Sequence, residues 1–419
     1  MSNGPTGPEK SASPGPAEPV RESERIVAVD VLRGFALLGI LVVNIQAFSM
    51  PDATIFNPTA YGDLAGMNRW VWLLTHIFVE QKFMTIFSML FGAGILLMTQ
   101  RVEEKGLRSA SLHHRRMTVL LAFGLMHAYL VWSGDILVWY ALCGFCVYRY
   151  REREARSLIR FGLGVVAVAS LLSLVFGWSM QFWPPESVDN LTQAFQPSPE
   201  TIAENLAAYR GSWIREVVCR APSSFQNQTF VFAVWGLWRA GGLMLIGMGL
   251  FKLGVFSAAC SARFYALLAA IGVLAGIPAV VYGTYANFEA GWNIRYSFFL
   301  GSQYNYWGSI LVSLGWVGLV MLVCKKGILS FVTSRLAAVG RTAFTNYLTQ
   351  SILCTTIFYG FGLGLYGNVE RVGQILIVFG VWILQLAVSP LWLRRFRFGP
   401  FEWAWRSLTY GRLQPMRRR

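Results

Sequence analysis

The chain has 419 residues, with 36 Lys or Arg against 21 Asp or Glu and a formal net charge of +15. It is 55% hydrophobic and only 14% charged, against roughly 25% charged residues in typical soluble domains. A soluble nucleic-acid binder adds basic residues to an ordinary polar surface, so this apolar chain excludes that class and no nucleic-acid partner is expected. A disordered protein and a disulfide-framed secreted domain are excluded as well. Sixteen Trp in so apolar a sequence indicate an integral membrane protein.

Residues 1–25 are rich in Pro, Gly, Ser and Glu and are expected to form a disordered cytoplasmic tail. A bilayer-spanning helix needs about 20 predominantly apolar residues. Such windows lie near 31–48, 70–98, 117–134, 136–149, 161–180, 229–251, 264–285, 300–324, 342–361 and 373–393. They predict an all-α, polytopic bundle of about ten transmembrane helices over 26–393, followed by a basic cytoplasmic tail over 394–419. The fourth window is short, and the second is long enough to tilt or to begin along the surface. With the N-terminus inside, alternate loops hold 27 of the 36 Lys and Arg, and the opposite side holds six. That asymmetry puts both termini in the cytoplasm. The remaining three, Arg33, Lys82 and Arg239, lie inside apolar windows. The first window exceeds the 7–15 apolar residues usual in a signal peptide and carries Arg33 and Asn44, so it is read as retained.

Two external loops have substance. Residues 49–69 form a turn-rich connection. In the loop 181–227, Ile202, Leu206, Trp213 and Val217 share one helical face, which predicts a helix lying on the outer surface or capping the bundle. The six Cys form no framework, since only Cys219 lies in an external loop. Cys143 and Cys146 make a CGFC inside a span, where packing is the simpler reading.

Ionisable groups in hydrocarbon are costly and face a cavity or a partner. Each therefore has two readings, a functional group or a structural tie between helices. On the first helix Asp30, Arg33 and Asn44 fall on one face, with Asn44 about 21 Å beyond Asp30 at ~1.5 Å per residue. In the second window His76 and Glu80 are four apart and share a face, whereas Lys82 points elsewhere and needs its own partner. The third window ends in GLMHAYLVWSGDIL, placing His127 roughly mid-bilayer and Asp135 in the following turn. An imidazole there can accept or relay a proton. Asp135 orients it, or caps the next helix. The ninth window opens VGRTAFTNYLTQS, with Arg341 at the cytoplasmic mouth and Asn346 and Gln350 inside. A basic residue followed by amides suits an anionic cofactor or headgroup, and amides also join helices. No GxxxxGK, HExxH, GxSxG or zinc-spaced Cys/His cluster occurs in a suitable context, so no metal is expected.

The blocks VDVLRGFALLGILVVNI, EQKFMTIFSMLFGAG, GLMHAYLVWSGDILVWYAL, VGRTAFTNYLTQSILCTTIFYG and RFRFGPFEWAWRSLTYG resemble, in order, the signature blocks of the YeiB-like bacterial membrane family (domain of unknown function 418). The resemblance covers essentially everything after the tail and implies a multi-pass protein of the bacterial inner, or plasma, membrane. That family is similar to a broader group of membrane acyltransferases, which includes enzymes that acylate surface sugars and the lysosomal heparan glucosaminide acetyltransferase. Those proteins also open with Asp-x-x-Arg-Gly on the first helix, here Asp30, Arg33 and Gly34. The sugar-acylating enzymes place a His ten positions after the Gly, where this chain has Asn44.

Together these features lead to an expected acyltransferase-like activity. An acyl donor such as acyl-CoA would dock against Asp30, Arg33, Lys82, Arg341, Asn346 and Gln350. His127 would act as general base with Asp135 or Glu80 orienting it and Asn44 binding the acyl carbonyl, and a lipid or sugar would accept. Two rivals stand beside it. One is a permease for a small polar solute, with Glu80, Lys82, His127 and Arg239 lining its route. The other is a non-catalytic membrane scaffold. The sequence leaves the oligomeric state open.

Overall fold

In the computed structural model, residues 25–418 are described, so the predicted N-terminal tail, save Arg25, lies outside the described residues. The described chain is helical, with a single isolated bridge between Phe396 and Arg417. The first helices are α1 (Val27–Ser49), the short α2 (Ala53–Phe56), α3 (Gly66–Phe78), α4 (Lys82–Glu103), α5 (Ser109–Leu130), α6 (Leu137–Val147) and α7 (Ala155–Ser179). The distal loop contributes α8 (Pro185–Phe195), α9 (Pro199–Tyr209) and α10 (Trp213–Gln226). The chain then runs through α11 (Leu237–Lys252), α12 (Ala262–Ile271), α13 (Ile277–Glu289), α14 (Ser302–Lys326), α15 (Ser330–Arg341), α16 (Ala343–Phe358), α17 (Arg371–Arg395) and α18 (Pro400–Tyr410). We call the end of the bundle that carries Ile26 and Tyr410 proximal and the other end distal.

Among the described residues, seven stretches are long and apolar enough to cross a bilayer: 27–49, 66–103, 155–182, 213–252, 262–289, 295–326 and 371–395. Three of them gain length from π-helical segments, 227–236, 272–276 and 295–301, that join or extend their α-helices. Large apolar side chains on these helices face outward; Leu171, Val175, Leu274, Leu376 and Ile383 are 57–76% exposed. A soluble protein has no use for such a belt, and lipid does. The chain is a multi-pass membrane bundle.

Three expected elements differ in detail. The second window is two helices, because the chain turns at Gln81, whose φ of 63° is left-handed. The helix foreseen over 202–217 is also two. Gly211 follows the end of α9, and Ser212 then restarts the chain as N-cap of α10, its Oγ accepting from Arg215 N–H at 3.5 Å. The polar tail contains a helix, α18, that docks back onto the bundle.

Helices approach closely where glycines meet backbone. A Cβ on Gly34 would run into the carbonyl of Leu336, and one on Gly340 into the carbonyl of Asp30, so α1 and α15 cross in direct backbone contact. The same holds between α4 and α11, where Gly92 meets Met244 and Gly247 meets Met89. Small residues serve this purpose in bilayers, where dispersion replaces the hydrophobic drive between helices. Gly34→Val and Gly340→Val should each destabilise the fold by about 1–3 kcal/mol or more through overpacking. Gly94→Ala, with nothing within 4 Å of the new methyl, should be neutral. Melting of the detergent-solubilised protein, followed by tryptophan fluorescence, separates the two classes.

Candidate functional site

The α5–α6 turn builds one site. His127 lies in the last turn of α5, and its carbonyl closes the helix by accepting from Val131 and Trp132 N–H at 2.9 and 2.8 Å. With α5 beginning at Ser109, His127 is nearer the distal end than the middle. Its Nδ1 lies 2.8 Å from Asp135 Oδ1. The other carboxylate oxygen accepts from Val138 N–H at 2.8 Å, in the first turn of α6. Asp135 thus caps a helix and orients an imidazole at once, so the two sequence readings of it are both met. Because Nδ1 faces an acceptor-only carboxylate, the neutral ring carries its proton on Nδ1 and presents Nε2 as the acceptor. That Nε2 is buried and has no hydrogen-bond partner among the described residues. The Tyr347 ring lies 5.3 Å away, and its hydroxyl is likewise buried and unpartnered. Trp132 closes another side at 6.3 Å and rests on Phe48 of α1 at 4.0 Å. Gly134 is required here, since a Cβ would enter the Trp132 indole.

Helix α10 roofs this site. Its buried face is polar: Glu216, Arg220 and Ser224 recur every four residues and are 0–1% exposed. Ile214, Val218 and Phe225 point outward at 62–70% exposure. The polar stripe meets the carbonyls that α5 leaves open at its end. Ser224 Oγ donates to Ala128 O at 3.0 Å, and Arg220 donates to Tyr129 O at 3.3 Å and Val131 O at 3.0 Å. Trp213 Nε1 donates to Leu130 O at 3.1 Å. Arg220 is paired in turn with Glu216. Trp213 and Val217, expected on an apolar inner face, flank a polar one instead.

The break between α3 and α4 builds a second cluster. His76 Nδ1 is 2.7 Å from Glu80 Oε2, and Asn305 Nδ2 of α14 donates to Glu80 Oε1 at 3.1 Å. Lys82, wholly buried, donates to Asn305 Oδ1 at 2.6 Å and to the backbone carbonyl of His76 at 2.5 Å. Lys82 therefore joins the His76–Glu80 pair through Asn305 rather than standing apart from it. One turn along α4, Thr85 Oγ1 accepts from Arg239 at 3.2 Å. The same guanidinium donates to Tyr306 O and Ser309 Oγ at 2.8 and 2.7 Å and lies 4.2 Å over the Tyr306 ring.

The other predicted site residues lie elsewhere. Asp30 is paired with Arg33 at 2.9 Å and Arg25 at 3.4 Å at the proximal end of α1. Arg341 is next to Gly340 at the same crossing. Asn346 and Gln350 tie α16 to α17: Asn346 Nδ2 donates to Ser389 Oγ at 3.0 Å, and Gln350 Nε2 to Gln385 Oε1 at 2.9 Å. Asn44 is half-buried on α1, one turn from Phe48. No hydrogen bond brings Asn44, Lys82 and His127 together, and Glu80 is engaged with His76 rather than His127. Sequence reading passed over Asn305 and Tyr347 as site groups, and also Arg220. A lone Asn within the apolar eighth window was the available signal for the first.

Glu402 of α18 is a helix cap from a distant part of the chain. Its Oε1 accepts from the N–H groups of Phe344 and Thr345 at 2.6 and 3.0 Å, and its Oε2 from Thr345 Oγ1 at 2.5 Å. These are the open amides of the α16 N-terminus. Burial pushes the Glu402 carboxyl above its usual range, against the lowering effect of those hydrogen bonds.

The molecule is thus a polytopic helical membrane protein with a roofed His–Asp dyad and a broken, lysine-bridged helix. Residues 250–412 match the family described as "Protein of unknown function (DUF418)". The uncharacterized protein YeiB of Escherichia coli (strain K12) is 31% identical over 400 residues, covering 92% of this chain and 96% of that one. The uncharacterized protein YxaH of Bacillus subtilis (strain 168) is 32% identical over 427 residues, covering 95% and 98%. An uncharacterized 39.9 kDa protein from the amylase 3' region of Bacillus acidopullulyticus is 28% identical over 401 residues. The chain belongs to this YeiB-like, DUF418 family.

Removing a dual-purpose carboxylate has a graded cost. Asp135→Ala loses the α6 cap and the His127 partner and should lower stability by about 1–2 kcal/mol. Asp135→Asn keeps an oxygen for Val138 and should lose less. Thermal melts of the two variants in one detergent give the order.

Proposed function

We propose that the chain is a membrane-embedded acyltransferase-like protein that moves an acyl group from a donor such as acyl-CoA to a lipid or sugar hydroxyl. In this reading α5, α6 and α16 cross the bilayer too, making ten spans in the bacterial inner membrane with both termini cytoplasmic. The observation that supports it best is the His127–Asp135 dyad, whose Nε2 is free of any partner in a site closed by α10 and Trp132. Nε2 takes the proton of the acceptor hydroxyl as its oxygen attacks the thioester carbonyl. The C–S bond then breaks, and the leaving thiolate takes that proton back. Asp135 stabilises the imidazolium between those steps. Tyr347, whose ring packs 5.3 Å from the imidazole, takes the part of donor to the acyl oxyanion, a part first given to Asn44. Arg33 and Arg341 at the proximal end of the α1–α15 crossing serve the donor's charge.

Purified protein incubated with labelled acyl-CoA and lipid or sugar acceptors tests this. Transfer should fall at least 100-fold in His127→Ala while the melting curve keeps its cooperativity, and Glu80→Gln should keep most of the activity. Absence of transfer to every acceptor, with CoA binding unchanged in Arg33→Ala, would sink the reading.

A second reading, a permease, is favoured by the interrupted α3–α4 helix, since discontinuous helices near the midplane hold substrates in secondary transporters. Solute uptake into proteoliposomes that follows a pH gradient and is lost in Glu80→Gln, in protein without transferase activity, would select it.

A further inference from the structure

The proximal face carries charge that the fold does not consume. A groove of about 500 Å³ opens between the end of α4, the start of α5 and the end of α18, with Arg108, Arg115 and Arg412 around it. Ser111 and Tyr410 bring hydroxyls, Leu112 brings part of an apolar wall, and no carboxylate lines it. Arg115 reaches the end of α18. Its guanidinium lies against Gly411, where an added Cβ would come within 2.9 Å of Nη1, and Gly411 closes α18 with a φ of 68°. A cation at that position also faces the negative end of the α18 dipole.

Three acidic side chains of this face are engaged with other groups, while Glu104 and Glu154 are exposed and do not line the groove. Asp30 holds Arg25 and Arg33, Glu402 caps α16, and Glu103 accepts from Ser109 Oγ at 2.6 Å and from Arg151 at 3.3 Å. Arg108 and Arg115 make no ion pair among the described residues. On the same face Arg116 and Arg406 lie over the rings of Trp405 and Phe398, at 4.5 and 4.7 Å, rather than against carboxylates. Burial first, and then the nearby charges of Arg25 and Arg116, draw Arg406 below its ordinary range.

We infer that this groove binds a phosphate-bearing anion, with Arg108 and Arg115 taking the phosphoryl oxygens and the hydroxyls of Ser111 and Tyr410 completing the contacts. Guanidinium forks match phosphoryl oxygens in pairs, and the volume admits a pyrophosphate or a single lipid headgroup. Two sources share this chemistry: a soluble cofactor presenting phosphates to the proximal side, and an anionic phospholipid of the adjoining leaflet. The inference does not depend on the transfer reading, because its readout is binding alone.

Full-length protein in a neutral detergent is titrated with inorganic pyrophosphate by calorimetry, and separately equilibrated with mixed phosphatidylglycerol and phosphatidylcholine micelles before the retained lipids are counted. Arg108→Gln/Arg115→Gln is compared with wild type. Arg108→Gln alone serves as a second variant, because it leaves the Arg115–Gly411 contact intact if the double variant misfolds. Pyrophosphate binding that weakens at least tenfold in the variants supports the site and a soluble source. No pyrophosphate binding, but a phosphatidylglycerol preference that disappears in the variants, supports the site and a lipid source. Binding of neither, or binding that the variants leave unchanged, overturns it.

Discussion

Every helix end that lies inside this bundle leaves backbone carbonyls or amides that lipid cannot satisfy, and much of the polar inventory of the chain follows from that one requirement. Lys82 closes the end of α3 on the His76 carbonyl. Arg220, Ser224 and Trp213 close the end of α5. Glu402 does the opposite job at the start of α16, accepting from two backbone amides. Arg371, buried at the start of α17, donates to the carbonyls of Asp63 and Pro58 at 2.7 and 2.9 Å and so ties the distal loop to the bundle. A charge in each place is worth its desolvation because the alternative is several orphaned backbone groups at once.

This constraint changes what a buried charge means here. Cations in apolar windows are ordinarily read as functional, yet Arg371 donates to backbone, Lys82 and Arg220 divide their bonds between backbone carbonyls and one side chain each, and Arg239 divides its own between one carbonyl and two hydroxyls. The discriminating feature is therefore the group left over after closure is complete. At the α5–α6 turn an imidazole nitrogen, already oriented by a carboxylate and packed beside the Tyr347 ring, is left over among the described residues, together with Glu216 Oε2 and Arg220 Nη2 of the roof. At the α3–α4 break the Lys82–Asn305–Glu80–His76 chain is closed on itself, which is what a tie between helices looks like. The transfer reading and the permease reading part at this difference.

The elements were legible in the sequence wherever a single periodicity governed a segment. The apolar windows of α1, α7 and α17 fall within the helices of the structure, because lipid on one side and core on the other impose no competing demand. Legibility failed where one helix ended and another began without leaving the apolar environment. Nothing in EQKF marks the left-handed Gln81, since the turn is held by Lys82 and by α14, whose Ser313 Oγ donates to Lys82 O at 2.9 Å. Helix α10 misled for the opposite reason. The shared apolar face of Trp213 and Val217 drew the reading, whereas the stripe that faces the protein is the polar Glu216–Arg220–Ser224. Of the site, the pairings His127–Asp135, His76–Glu80 and Asp30–Arg33 could be foreseen from spacing. The links through Asn305 and Tyr347 join residues more than 200 positions apart, and no local pattern carries them.

The roof over the dyad also fixes what access must cost. Helix α10 and the segment after it hold the α5–α6 turn by five hydrogen bonds, four to carbonyls at the end of α5 and one from Asn227 Nδ2 to Ser133 O at 3.2 Å. At about 0.5–1.5 kcal/mol net each, lifting it away costs a few kcal/mol, within the range of sub-global openings that proteins undergo. The cost rises if Arg220, still paired with Glu216, is stripped of its backbone partners in a low-dielectric setting. A polar acceptor arriving from the distal side supplies replacement partners for those groups, whereas water-free lipid does not. On the proposed transfer reading, the hydrogen bonds that close the end of α5 would make entry to His127 selective for something polar.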